Sequence, residues 1–295
     1  MVDASGHRSD EFFEGVVVTG SGEPLPMLSS ANARVFDGKT FWTSLSAVGH
    51  LLRTDPDSSV AIIGAGGTGA AIAHWFIRTG ITAVPITIVG REPTLYARHP
   101  GPFEDRLFTD EDAWSRLAGH VRDEFVRRLT SGVVWDYVLR NLVSDNIVYE
   151  CYEAKRFVPR GPGLGGLPAE LAVELHHPQD PADVQRRNIL QAVGQMLSPA
   201  RPAVPATSLN ASVFIDARGF DRWWFVDRLL SSSALKSHFV EANRPSVLVD
   251  VDRSLAVGGN FPPGLHVPML ASRQGPAASN LMALGWMSDR ILGAY

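Results

Sequence analysis

Cysteine is nearly absent from the 295-residue sequence: Cys151 is the single one. One thiol excludes an internal disulfide and a cysteine-based zinc site, and it suits a reducing compartment. Its expected place is that of a small buried apolar residue. Basic charge is also scarce. The 27 Lys and Arg residues stand against 31 Asp and Glu, a formal net charge of −4. A nucleic-acid partner is not expected from that balance, because polyanion binders carry a basic face. No run approaches the ~20 apolar residues that a membrane helix needs. The opening MVDASGHRSDEFFEG is polar and acidic, unlike a secretory leader. The expected setting is therefore the cytoplasm, with no membrane partner. There is no G-x-S-x-G elbow, which argues against a serine hydrolase. No His-x-x-x-His pair occurs, and no lysine follows the glycine loop where a phosphate-binding P-loop requires one. His99 and the acids Glu104, Asp105, Asp110, Glu111 and Asp112 read as a solvated loop and helix N-terminal charges, and no metal site is expected. His176 and His177 read as surface residues. Trp223 and Trp224 read as packing residues. Neither an internal repeat nor a low-complexity tract is visible.

Glycine, by contrast, is plentiful and patterned. In SSVAIIGAGGTGAAIAHWF, residues 58–76, Gly64, Gly66 and Gly69 stand at G-x-G-x-x-G spacing. With 27 glycines in the chain the spacing alone is weak; its context strengthens it. VAII before it reads as a buried strand, the stretch from about 69 to 79 reads as a helix ending at Gly80, and ITIVG at 86–90 reads as the next strand. That is a strand–helix–strand unit of the required length. In such a loop the first glycine makes the tight turn, the second lets the backbone approach a diphosphate, and the third lets helix pack on strand. The diphosphate then meets the helix N-terminus, where unpaired N–H groups and the dipole favour an anion. Gly67 and Thr68 complete the candidate loop. Arg91 directly follows the second strand and Glu92 follows Arg91. An arginine there suits the 2′-phosphate of NADP(H), and an acid suits the ribose of NAD. Arg91 favours NADP(H); Glu92 would favour NAD if the strand end shifts by one residue.

The remaining segments read as follows. GVVVT at 15–19 is a buried strand, and SAVGHLLR a short helix. PTLYARHPGPFEDRLFTDEDAW is loop. Helical spacing recurs through 111–143, with a second helix over 131–143. IVYECYEA and LAVELHH are strands flanking a Gly/Pro loop. ADVQRRNILQAVGQML is helical, and SPARPAVPATS is a connector. SVFIDARGF at 212–220 is a buried strand, SVLVDVD and LAVGG form a hairpin, and the C-terminus is a packed helix. Asp216 inside its apolar strand needs a partner. Alternating strands and helices predict an α/β fold with parallel sheets. Two apolar strands that end at glycine bracket the glycine-loop unit. This predicts a Rossmann-like NAD(P)-binding domain, 58–204, inserted in the remnant of a second, FAD-type α/β domain, 1–57 and 205–295.

These segments, in this order, resemble the flavin-dependent N-hydroxylating monooxygenases that act on lysine or ornithine side-chain amines in siderophore pathways. GVVVTGSGEPLP is similar to the family's exit strand from its flavin domain, with Thr19 and Gly20 matching. VAIIGAGGTGAAIA is similar to its second, NADPH-binding glycine motif. VFIDARGFD resembles its second crossover strand, with Gly219 matching and Arg218 where threonine is usual. GLHVPMLASRQGPAASNLMALGWMSDRIL resembles its closing flavin-domain segment. The resemblance implies NADP(H) and FAD as cofactors, with Gln274, Gly275, Asn280 and Leu281 toward flavin. Residues 1–14 hold one glycine, Gly6, and no apolar strand, so the family's first FAD-binding unit is expected to be missing. A separate flavin-binding chain or self-association is the expected partner besides a dinucleotide, since the missing strands would leave an apolar face. A non-catalytic nucleotide-binding regulatory or interaction protein is the alternative reading.

Overall fold

The computed structural model describes residues 13–25, 33–54, 57–81, 83–98, 101–130, 133–142, 146–160, 170–178, 207–258, 264–278, 280 and 283–295. The expected helix in ADVQRRNILQAVGQML and the connector after it as far as residue 206 lie outside these residues, as does Leu281; Thr207 and Ser208 at the connector's end begin a strand, Thr207–Asn210. Two compact units emerge, one of residues 24–99 and 130–219, the other of residues 1–23, 100–129 and 220–295. These bounds are not those of the 1–57, 58–204 and 205–295 division: residues 24–57 and 205–219 fall with the glycine loop, and 100–129 fall in the other unit.

The first unit is built on a parallel five-stranded sheet. Its strands run in the order Val35–Asp37, Val213–Asp216, Val60–Ile63, Ile86–Gly90, Ile147–Cys151. All four residues of Val60–Ile63 and of Val213–Asp216 are buried, as expected of central strands covered on both faces. The side chains alternate between two cores. Val60, Ile62, Val213, Ile215, Ile86 and Ile88 enter one cluster with Phe41, Val48, Ile72 and Phe76 from helical segments. Ala61, Ile63, Phe214, Val89 and Val35 enter another with Phe157, Leu171, Val173 and Leu175. Those last four lie on a three-stranded antiparallel sheet, ordered Thr207–Asn210, Glu170–His176, Glu153–Arg160. The unit is thus a layer of helices, a parallel sheet and a smaller antiparallel sheet.

The helix after the glycine loop spans Gly67–Arg78. Its alanines favour the helical state, and Ala70, Ile72, Ala73 and Phe76 form its buried face. It ends in a Schellman motif: Ile81 donates to the Phe76 carbonyl and Gly80 to that of Ile77, with Gly80 at φ 75°. Only glycine takes that conformation without strain.

The second unit pairs Val16–Val17 in parallel with Leu265–His266. Its core gathers Val18, Trp223, Phe225, Phe239, Val247, Leu255 and Leu270, and the helix Leu284–Leu292 contributes Met287. Trp223 and Trp224 therefore pack as expected. Four sequence expectations are corrected in this chain. GVVVT is not a buried strand: Val16 and Val17 are exposed and Val18 alone is buried. SVLVDVD does not form a hairpin strand, because Arg244–Asp250 is a helix with Pro245 in its first turn; only Val251 bridges to Val257. The 93–114 stretch is not loop. It carries the strand Tyr96–Arg98 and the helices Pro102–Thr109 and Glu111–Ser115, the latter capped by the Asp110 carboxylate accepting from the Ala113 N–H at 2.9 Å. Val133–Trp135 is likewise a strand inside the expected second helix, of which Asp136–Asn141 remains.

Candidate functional site

From Val60–Ile63 the chain proceeds to Ile86–Gly90 on one side, while Val213–Asp216 pairs on the other. Sheet order reverses at that point. In open α/β sheets, ligands bind beyond the strands' carboxyl ends at such a reversal. A cleft of about 410 Å³ lies there, within one compact unit. Three chain segments form its walls: the loop Ile63–Thr68, the turn Val89–Glu92 with Thr94, and Ala217–Gly219. Leu25 and Tyr152–Ala154 complete the lining.

The glycines fit their expected places. Gly64 has φ 116°, and a Cβ on it would lie 2.2 Å from the Ala217 carbonyl oxygen. A Cβ on Gly69 would lie 2.1 Å from the Gly64 carbonyl oxygen, so the helix can approach its strand only without a side chain there. Gly66 is the extended N-cap. The amides of the first helical turn, beginning at Gly67 and Thr68, have no intrahelical acceptor and stand beside the cleft. Together with the helix dipole they attract an anion. Among the described residues, no side chain fills the cleft beside the turn.

On the second strand's turn, the Arg91 side chain is exposed and lines the cleft. Glu92 lines the same cleft. Its carboxylate accepts from the Tyr96 hydroxyl at 3.4 Å, and its carbonyl accepts from the Tyr149 hydroxyl at 2.6 Å. Burial, with the nearby Cys151, Glu92 and Tyr96, pushes the Tyr149 phenol up to about 12. Cys151 is half-buried; its thiol contacts the Arg91 carbonyl at 3.6 Å and is pushed up by burial and by Glu92.

On the opposite wall, the buried Asp216 takes a two-pronged ion pair from Arg218, Nε to Oδ1 at 2.8 Å and Nη2 to Oδ2 at 2.9 Å. Asp216 thus has the partner its burial requires. Gly219 follows at φ 127°, and its carbonyl accepts from the Leu25 N–H at 3.0 Å.

Gly64, Gly66, Gly67, Thr68, Arg91 and Gly219 therefore meet at one cleft, with Gly69 behind the loop. Thr19, Gly20, Gln274, Gly275 and Asn280 belong to the other unit. Thr19 and Gly20 are exposed. The Gln274 amide donates to the Val251 carbonyl at 2.6 Å. Within its own unit, the Gln274–Ala277 stretch faces a pocket of about 10 Å³, too small for a flavin ring. Sequence reasoning had not placed Tyr152–Ala154, Thr94 or Arg218 at the cleft. The carboxyl-end rule would have found Tyr152 once the third strand was assigned. Among the described residues, no cluster of His, Cys, Asp and Glu could hold a metal, and no helix is long and apolar enough to cross a membrane.

No family model matches the chain. L-lysine N6-monooxygenase MbtG of Mycobacterium sp. (strain MCS) is 29% identical over 286 residues, 95% of this chain and 58% of that protein. Lysine monooxygenase NbtG from Nocardia farcinica superposes with a TM-score of 0.62 at 24% identity, covering 94% of this chain and 60% of its own. In sequence and fold the chain is thus similar to lysine N6-monooxygenases. The ornithine N-hydroxylase KtzI from Kutzneria sp. 744, solved with reduced FAD, NADP+ and L-ornithine, shares the fold with a TM-score of 0.58 at 16% identity, over 95% of this chain and 63% of that one. The chain spans about three fifths of the length of the proteins it matches.

Proposed function

We propose that this chain is the NADPH-binding portion of a flavin-dependent amine N-monooxygenase of the lysine or ornithine N-hydroxylase kind, working with a flavin-binding half. One observation carries the reading: the open cleft at the sheet's reversal joins the glycine-loop amides to an exposed arginine at the position that meets the adenosine ribose. In this reading the first-turn amides hold the diphosphate and Arg91 pairs with the 2′-phosphate through charge-assisted hydrogen bonds. The Glu92 carboxylate, which would favour NAD from the same turn, accepts from the Tyr96 hydroxyl. Bound NADPH would supply a hydride for flavin reduction; the residues of this cleft orient the dinucleotide. The pocket beside Gln274–Ala277 does not fit FAD by itself, so the flavin is assigned to a second half, either another segment or another chain, and the cytoplasm is the setting such chemistry suits.

Titration of the full chain with NADP+ and NAD+, followed by tryptophan fluorescence or calorimetry, tests the reading. NADP+ is expected to bind the more tightly by tenfold or more, on the order of the 1.5–3 kcal/mol of a charged hydrogen bond. Equal affinities would remove the role of Arg91, and no binding of either would overturn the proposal. Binding without oxygen-dependent NADPH turnover, even with added FAD and a flavin-binding half, would favour a regulatory nucleotide binder.

A further inference from the structure

We infer that Arg218, held by the buried Asp216, is a second cationic contact of this cleft and binds the dinucleotide's diphosphate. The inference rests on the dinucleotide reading above and adds a residue to it. Asp216 closes a strand whose four residues are all buried, and its side chain is 2% exposed. A lone carboxylate there would be costly. Arg218 supplies the counter-charge from only two residues away, through a planar fork of 2.8 and 2.9 Å. Its side chain nevertheless stays 27% exposed and lines the cleft.

The position of its backbone fixes what it can reach. A Cβ on Gly64 would lie 2.8 Å from the Arg218 nitrogen, and the Ala217 N–H donates to the Ile63 carbonyl at 2.7 Å. Arg218 therefore starts against the first glycine of the loop, on the wall opposite Arg91. The loop amides lie between two arginines. Arg91, one strand outward, is at the ribose end, and Arg218 is beside the anion-binding turn. A guanidinium presents its N–H donors in a planar fork. The same planar group suits phosphate oxygens. Because Asp216 fixes its orientation beforehand, little side-chain freedom is lost on binding. Asp216 acts through Arg218 and is a positioning residue.

The test uses three ligands on the full chain: NADP+, NAD+ and 2′-AMP, which carries the 2′-phosphate and lacks a diphosphate. Arg218→Met is expected to weaken NADP+ and NAD+ alike by about tenfold or more, leaving their ratio and the 2′-AMP affinity within about twofold of the original. Arg218→Met leaves the Asp216 charge buried without its counter-charge, so the variant Asp216→Asn/Arg218→Met is measured beside it and should show the same ligand pattern with a higher thermal transition than Arg218→Met. Asp216→Asn alone should weaken both dinucleotides to a smaller extent. Dinucleotide affinities unchanged in both Met variants would overturn the inference. So would a loss that extends equally to 2′-AMP, which marks a general structural role. If the unaltered chain binds the dinucleotides and only the Arg218 effect is missing, the cleft reading stands and this inference alone fails.

Discussion

Gly64 turns the chain at φ 116° with the Ala217 carbonyl packed where a side chain would begin. Gly64→Ala therefore meets two costs. An L-residue at positive φ is strained by ~1–2 kcal/mol, and the 217–218 backbone must move. A lower thermal midpoint and loss of nucleotide binding are expected together. Gly67 is the control, since a Cβ there meets nothing within 4 Å and the residue opens the helix. Gly67→Ala should keep the melting temperature or raise it, by the ~0.5–1 kcal/mol that separates alanine from glycine in a helix. Equal destabilisation of both variants would refute the distinction. Arg91 gives the second prediction at this scale. Arg91→Ala should weaken NADP+ by about 1.5–3 kcal/mol and leave NAD+ almost unchanged, as read by titration with both. The glycine loop and Arg91 could be read directly from the sequence because their roles follow from local spacing. Arg218 could not. Its pairing depends on the burial of Asp216, and its place at the cleft depends on which strand lies beside Val60–Ile63.

Strand Ile147–Cys151 shows how one element positions another's functional turn. It pairs with Ile86–Gly90 in register Gly90 to Cys151, and the Tyr152 N–H donates to the Gly90 carbonyl at 2.8 Å. Tyr149 then reaches over Gly90 to donate to the Glu92 carbonyl, pinning the turn that presents Arg91. The phenol is raised from 10.0 to about 12, chiefly by burial. A folded-state value above the unfolded one means the contribution is complete below about pH 10 and is lost as pH rises toward 12. Ionisation also removes the donor to Glu92. Denaturant midpoints measured at roughly pH 9 and pH 11.5 should fall more for the original chain than for Tyr149→Phe; parallel losses would contradict the assignment. The same scale shows what sequence pattern conveys. VAII, ITIVG and VFID were readable as buried strands because apolar β-branched runs mark sheets covered on both faces. SVLVD has a similar composition yet is helical: Pro245 sets the first turn and Val247 enters the core, so tertiary packing overrides β-propensity. GVVVT failed differently. Its valines are exposed in a two-stranded pairing, and a short apolar run carries no record of how many strands cover it.

For the whole molecule, the division into two compact units carries a consequence for how a ligand would be felt. All residues lining the 410 Å³ cleft belong to the unit of residues 24–99 and 130–219. A ligand that binds the native state alone stabilises it by RT ln(1 + [L]/Kd), about 2.7 kcal/mol at a hundredfold excess over Kd. That stabilisation acts on the openings that expose the site. Hydrogen exchange with saturating NADP+ should therefore slow amides at Gly64–Thr68, Gly90–Glu92, Tyr152–Ala154 and Ala217–Gly219, together with the central strands Val60–Ile63 and Val213–Asp216. The core of Trp223, Phe239 and Leu270 should exchange at its ligand-free rate unless the two units open as one. Protection confined to the Gln274–Ala277 stretch, with none at the glycine loop, would move the site to the other unit and remove the cleft from consideration. Protection spread evenly over both cores would show that their unfolding is coupled, because sub-global openings report separate cooperative units only where such units exist.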